Sequence, residues 1–193
     1  MRLMAESDNG QYQCFLLEEG EMDAAITVIS LDREDYEGLS PQRHQEVWDI
    51  AGNTLQGSGD ELFALVDTHN DRLVGKGMID FVIEDIPEIT GSYVLPEERG
   101  QRLVDILYEA RMLSLREQGY GEVMGRISLD NHASYKAATR NGFEVFEPDL
   151  GIAPPPNEPR FLKRALPPLE PRNIVQVKID PDSPADGLHN AAV

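Results

Sequence analysis

The sequence predicts an α/β domain in which helices flank a mixed, mostly antiparallel central sheet. Three observations carry that expectation. Strand-like and helix-like runs alternate along the chain instead of segregating into halves. The most regular apolar periodicity, Leu103 to Leu113, has the three-and-four spacing of a helix and is flanked on both sides by period-two runs. Gly, Pro and Asn/Asp clusters stand at nearly every change of period.

Taken in order, Tyr12 to Leu17 is a short apolar run that reads as a first strand, followed by acidic Glu18 to Asp23 and an apolar patch, Ala24 to Leu31, whose register the pattern leaves open. Ser40-Pro41 gives an N-cap and a proline at the first helical position. Val47, Trp48, Ile50, Ala51 and Leu55 then recur at helical spacing until Gly57. Leu62 to Val66 and Leu73 to Val82 form a hairpin about the turn His69-Asn70-Asp71, and a third strand covers Ile89 to Leu95. Pro96-Glu97-Glu98 opens the long helix, in which Leu103, Ile106, Leu107, Ala110 and Leu113 form one face as far as Gly119. Glu122 to Ser128 alternates as a strand. Asp130-Asn131 caps a shorter helix that runs through Asn141 and ends at Gly142. Phe143 to Phe146 is extended, Pro154-Pro155-Pro156 interrupts the chain, and Arg160 to Leu166 offers a further strand before Pro167-Pro168. Residues 1–166 thus form one domain. Residues 167–193 are a proline-rich extension with an edge strand at 174–179 and a frayed tail from Pro181.

Composition narrows the function. The 193 residues are 40% hydrophobic and 27% charged, in the range of a globular protein. Thirty-five acidic side chains against 17 basic ones leave a net charge of −18, which argues against a surface built to grip nucleic acid. The lone Cys14 closes no intramolecular disulfide. Neither it nor His44, His69, His132 and His189 stands at zinc-ligand spacing, so no metal is expected. Met1 to Gly10 is polar and acidic with no apolar leader, and no apolar run is long enough to span a membrane. The expectation is a cytoplasmic protein with an acidic surface.

No GxGxxG or GxxxxGK[ST] occurs. The chemistry-bearing feature is the junction where Tyr93-Val94-Leu95-Pro96 runs into Glu97-Glu98-Arg99-Gly100-Gln101-Arg102-Leu103. Unpaired N–H groups and the positive end of a helix there can bind an anion, with Arg99 and Arg102 adding charge. An ordinary strand-to-helix turn with solvated arginines fits the spacing equally.

Three motifs tip the balance. Leu73-Val74-Gly75 on a central strand, Val94-x-Pro96-Glu97-x-Arg99-Gly100 before the long helix, and Asn131-His132-Ala133-Ser134 with Asn141-Gly142-Phe143 follow one another in order, with a twelve-residue step from Asn131 to Phe143. Together they resemble the GCN5-related N-acetyltransferases (GNAT), from about Glu61 to Phe146.

That resemblance implies the acyl-CoA N-acyltransferase fold, with acetyl-coenzyme A in a splay between the strands Ile89 to Leu95 and Glu122 to Ser128. By the same resemblance Tyr93, Val94, Leu95, Arg99, Gly100, Gln101, Arg102, Leu103, Val104, Asn131 and Ser134 line the cofactor. The family's phosphate loop runs Gln or Arg, two residues, Gly, one residue, then Gly or Ala. Here Arg99 fits the first position, but Arg102 and Val104 occupy the small ones, where side chains would hold the backbone away from phosphates unless Arg102 supplies an ionic contact of its own.

The usual tyrosine that protonates the leaving thiolate is Ala138. The Asn-x-x-Ser form resembles the subgroup that acetylates protein N-termini, which makes Ser134 the general acid, with Tyr135 beside it in reserve. On the bland reading Asn131 is only an N-cap, Ser134 a first-turn residue and Tyr135 a core aromatic. The general base by the resemblance is Glu88, with Asp85 and Glu84 as rivals. Alternation places Glu88, Thr90, Ser92 and Val94 on one face. Backbone N–H groups near Val94 would polarise the thioester carbonyl.

Two functions follow. The first is direct acetyl transfer to a primary amine of a small molecule or a protein N-terminus, with acetyl-coenzyme A and the amine as partners, no nucleic acid or membrane, and a homodimer left open. The second is a non-catalytic acyl-CoA-binding or regulatory protein on the same scaffold.

Overall fold

A computed structural model describes residues 1–32, 45, 49–52, 60–81, 86–145, 160–168 and 175–177. Among the described residues nine strands form one sheet: β1 (Arg2–Ser7), β2 (Tyr12–Leu16), β3 (Glu61–Asp67), β4 (Arg72–Asp80), β5 (Glu88–Val94), β6 (Glu122–Ile127), β7 (Glu144–Val145), β8 (Arg160–Ala165) and β9 (Val175–Val177). Their order is β7-β8-β6-β5-β4-β3-β2-β1-β9. Every neighbour is antiparallel except β5–β6 and β1–β9. The mixed, mostly antiparallel sheet flanked by helices is the expected architecture, and it matches the acyl-CoA N-acyltransferase fold.

The longest helix, α2 (Leu103–Glu117), lies across β1 to β5 and buries nearly its whole circumference. Leu103, Ile106, Leu107, Ala110, Met112 and Leu113 pack with Met4, Cys14, Phe63, Leu65, Val74, Ile79 and Ile89 from the sheet. The opposite face carries a smaller core in which Ala25, Val28 and Ile29 of α1 (Met22–Ile29) meet Leu17, Leu62 and Ala64. The patch with open register, Ala24 to Leu31, is therefore the body of α1 followed by a 3₁₀ turn, Ser30–Asp32. A third helix, α3 (His132–Arg140), turns Ala137 and Ala138 into the main core, and the Tyr108 and Phe143 rings meet there at 5.5 Å.

One strand is not announced by the sequence pattern. Arg2–Ser7 pairs with β2 through a register shift between Leu3 and Ala5, so Met4 and Ala5 both become buried and strict alternation is lost. The Ser7 hydroxyl closes that hairpin, accepting from the Tyr12 N–H at 2.9 Å. The predicted hairpin is β3–β4, its turn ending at Asp71 with φ 49°. Of the helix expected from Pro41 to Gly57, Gln45 and residues 49–52 are helical, and the rest lies outside the described residues. Phe146 and Pro154-Pro155-Pro156 also lie outside them. Among the described residues no helix is long and apolar enough to cross a membrane.

Candidate active site

The sheet opens between β5 and β6. These parallel strands share only two register pairs, Glu88↔Met124 and Ile89↔Gly125, with the Met124 N–H donating to the Pro87 carbonyl at 3.0 Å. β6 pairs along its other edge with β8 over its full length, and β5 likewise stays with β4 as far as Val94. Each strand follows its antiparallel partner, and the slanted, weaker parallel ladder between them ends early. Thr90 to Val94 therefore face a cleft.

A bulge re-aims that stretch. Met78 pairs with Thr90 but Lys76 pairs with Tyr93, so β5 carries one residue more than β4, at Gly91 with φ 58°. Glu88, Thr90 and Tyr93 consequently share the face of α1. Val94 turns to the face of α2, where it packs against the core with Leu95. The expected row of Glu88, Thr90, Ser92 and Val94 on one face is thereby corrected: the period of two holds up to Thr90 and inverts past the bulge.

Past Leu95 the chain makes one tight turn, Pro96–Glu98, and enters α2. The Arg99 side chain folds back, donating from Nε to the Val94 carbonyl at 3.0 Å with its guanidinium 5.5 Å from the Tyr93 ring centre. Gln101 faces inward, where the Tyr12 hydroxyl donates to it and to Glu98 at 3.2 Å. Leu103 is core and Val104 half-buried against it, so both side chains pack inward. Gly100 has φ 90°, and Arg102, at the N-cap, takes φ 60° and ψ 23°. Arg102 thus adopts the left-handed conformation of the glycine that the resemblance implies at its position. No side chain caps this N-terminus, and the Arg102 side chain is exposed beside it.

The α3 side of the cleft is set by Asn131, whose Oδ1 accepts from the Ser134 N–H at 3.0 Å, so the N-cap reading of Asn131 holds. Ser134 and Tyr135 are half-buried in the first turn, Tyr135 packing against the main core, and Ala138 is fully in it. α3 is tied to the first turn of α2. Asp105 accepts from Arg140 Nε and Nη2 at 3.0 and 2.7 Å and from Asn141 Nδ2 at 2.8 Å.

Glu88 lies at the apex of the cleft. It is buried, and Oε1 accepts from Arg126 Nε at 2.7 Å. That bond holds the guanidinium above its ordinary pKa. Asp80 stands directly across the ladder from Glu88. Asp85 and Glu84 lie outside the described residues. Among the described residues no group of three or more His, Cys, Asp and Glu is placed to hold a metal ion. Sequence reasoning misses Arg126 and the Asp105–Arg140–Asn141 cluster; the signal for Arg126 is a cation two residues beyond the pairing partner of Glu88.

The fold recurs in solved structures. An acetyltransferase from Streptococcus agalactiae superposes with a TM-score of 0.57 at 16% identity, over 81% of this chain and 99% of that one. A chimeric spermidine N-acetyltransferase from Vibrio cholerae gives 0.60 at 13%, over 81% and 96%. The PaiA N-acetyltransferase of Thermoplasma acidophilum, in complex with coenzyme A, gives 0.53 at 14%, over 80% and 97%. At these identities the likeness is one of fold. No curated protein sequence matches the chain significantly. The profile of the Acetyltransferase (GNAT) family matches residues 25–143, which span the cleft, the junction from β5 into α2 and α3, and the chain belongs to that family.

Proposed function

We propose that the protein is an N-acetyltransferase that moves an acetyl group from acetyl-coenzyme A directly to a primary amine of a small molecule or a protein N-terminus. The observation that carries this reading is the cleft between β5 and β6 beside an uncapped helix N-terminus whose Arg102 keeps a glycine-like backbone. Acetyl-coenzyme A, the acetyl donor of the family, supplies an activated thioester. The residues present fit it: backbone N–H groups from Gly100 to Val104, the positive end of α2, and Arg99 and Arg102 suit a pyrophosphate.

In this reading Glu88 takes the proton that the acceptor ammonium must lose, and the Ser134 hydroxyl returns one to the leaving thiolate, with Tyr135 in reserve. Backbone N–H groups near Val94 polarise the thioester carbonyl. The net charge of −18 favours a cationic acceptor. The Asn131-x-x-Ser134 spacing points to protein N-termini, whereas the Vibrio cholerae relative is a spermidine N-acetyltransferase. The setting proposed is the cytoplasm, without nucleic acid or membrane.

One observation favours the second reading, a binding protein without turnover: Glu88 is already engaged by Arg126. Two measurements decide. Acetyl-coenzyme A at about 100 times its dissociation constant should stabilise the fold by roughly 2.7 kcal/mol. Thiol release should then follow with a member of a panel of polyamines, aminoglycosides and peptides with free N-termini. No thermal shift at millimolar acetyl-coenzyme A overturns both readings, and a shift without thiol release leaves the binding protein.

A further inference from the structure

Arg111, in the middle of α2, is fully buried, yet among the described residues no carboxylate pairs with it. Its neighbour Cys14 supplies no counter-charge, because burial pushes the thiol up to about 12 and keeps it neutral. The Tyr108 ring lies 5.0 Å from the guanidinium carbon, and Nη2 has no hydrogen-bond partner. Burying a guanidinium on such terms is unfavourable, and Met or Leu would fill the same space.

What the guanidinium touches gives the reason. Nε donates to the Leu107 carbonyl at 2.9 Å, one turn back on its own helix. Nη1 lies between two carbonyls of the sheet, Met78 at 3.4 Å and Thr90 at 3.3 Å. Met78 and Thr90 are the last pair in register before β5 gains its extra residue. Gly77 makes the room: a Cβ there would come within 3.2 Å of both the Arg111 Cζ and Nη1. Three features thus converge on one spot, a charged donor, a strand glycine under it, and Gly91 at φ 58° opposite.

We propose that Arg111 is the positioning residue that holds the β5 bulge in place and so decides which side chains of Thr90–Val94 face each side of the cleft. A strand with one extra residue has an alternative, in which the bulge migrates and the ladder slips. A slip of one residue exchanges Tyr93 and Val94 between the two faces and moves the N–H groups that line the cleft. Arg111 opposes the slip by bridging β4, β5 and α2 from beneath.

The consequence for catalysis rests on the reading under Proposed function, but the geometry does not, and the test separates them. Arg111→Met removes the donor while keeping the volume, Arg111→Lys keeps a charge that reaches one carbonyl, and Gly77→Ala displaces the guanidinium without deleting it. In the ligand-free protein, well below melting, Arg111→Met and Gly77→Ala should shift the backbone amide resonances of Gly91 to Val94. They should also speed amide exchange there at least tenfold relative to Leu62 to Val66, with Arg111→Lys intermediate. Coenzyme A affinity, by calorimetry, should fall about tenfold or more in step. A lower melting temperature with unchanged resonances at 91–94 and unchanged coenzyme A affinity would make Arg111 merely structural and overturn the inference. If Arg111→Met does not fold, Gly77→Ala carries the same test. If the wild-type chain binds no coenzyme A while the resonances respond as stated, the positioning role stands and the acetyltransferase reading falls.

Discussion

Arg126 reaches from β6 across the last parallel register pair and donates to Glu88 at 2.7 Å, and the two partners differ sharply in exposure: 47% for the Arg126 side chain, 4% for Glu88. The carboxylate is fixed in the sheet while the guanidinium stands half in water. An ammonium group entering the cleft meets a buried anion whose present partner is free to swing away.

Arg126→Gln should accordingly lower KM for a cationic acceptor severalfold, because the amine no longer competes with an internal guanidinium. The same change should destabilise the fold by about 1–3 kcal/mol, since it leaves a buried carboxylate without its charged donor. Glu88→Gln should reduce the rate at neutral pH by at least about 100-fold with coenzyme A affinity nearly unchanged. Steady-state kinetics with chemical denaturation reads all three, and full activity in Glu88→Gln would move the base elsewhere.

Arg102 separates conformation from charge. A non-glycine residue at φ 60° carries roughly 1 kcal/mol of backbone strain, so Arg102→Gly should raise stability by about that amount. If the guanidinium also contacts the anion, the same variant should bind coenzyme A more weakly, by about 1.5–3 kcal/mol. A variant that is both more stable and equally tight in calorimetry would make Arg102 a bystander charge.

The Asp105 cluster couples the two helices that flank the cleft. Asp105→Ala removes the acceptor of Arg140 and Asn141, and a loss of about 1–3 kcal/mol is expected in urea unfolding. Arg140→Ala should destabilise less, because Asn141 still donates to the carboxylate.

Acid should loosen the β3–β4 turn. Burial of Asp67 opposes its ionisation, but hydrogen bonds from the Asn70 side chain and from the His69 and Asn70 backbone N–H groups outweigh it and hold the carboxyl below its ordinary range. A depressed carboxyl contributes stability at neutral pH that is lost as pH falls below the unfolded value of about 3.9. Asp67→Ala should be less stable than wild type by about 1–3 kcal/mol at pH 7, the gap narrowing towards about pH 3 in thermal melts.

Much of this is legible in the sequence. The α2 periodicity, the Asn131 cap and the β3–β4 turn announce themselves because local chemistry alone fixes them. Two features are not legible, for one physical reason. At Leu3–Ala5 and at Gly91 a strand carries an extra residue, and a period-two reading continued through a bulge assigns every later side chain to the wrong face. β1 escapes detection on that account, and Val94 falls to the face of Glu88. Arg111 is hidden differently: a charge between apolar neighbours reads as a solvated position, and only the carbonyls of β4 and β5 reveal why it is inside.

The brevity of the β5–β6 ladder also has a mechanical meaning. Two register pairs join a six-stranded leaf, β5 through β9 by way of β1, to a three-stranded leaf of β6, β8 and β7. The strands on either side of the seam pair more extensively along their other edges, β5 with β4 through five pairs and β6 with β8 through six, so between those two strands the seam at Glu88–Ile89 and Met124–Gly125 yields before its flanks. A wedge driven into it by a bound molecule bends a hinge and leaves the folded leaves intact, and the reverse holds as well: a molecule that bridges both leaves stitches them together and turns two units of local unfolding into one.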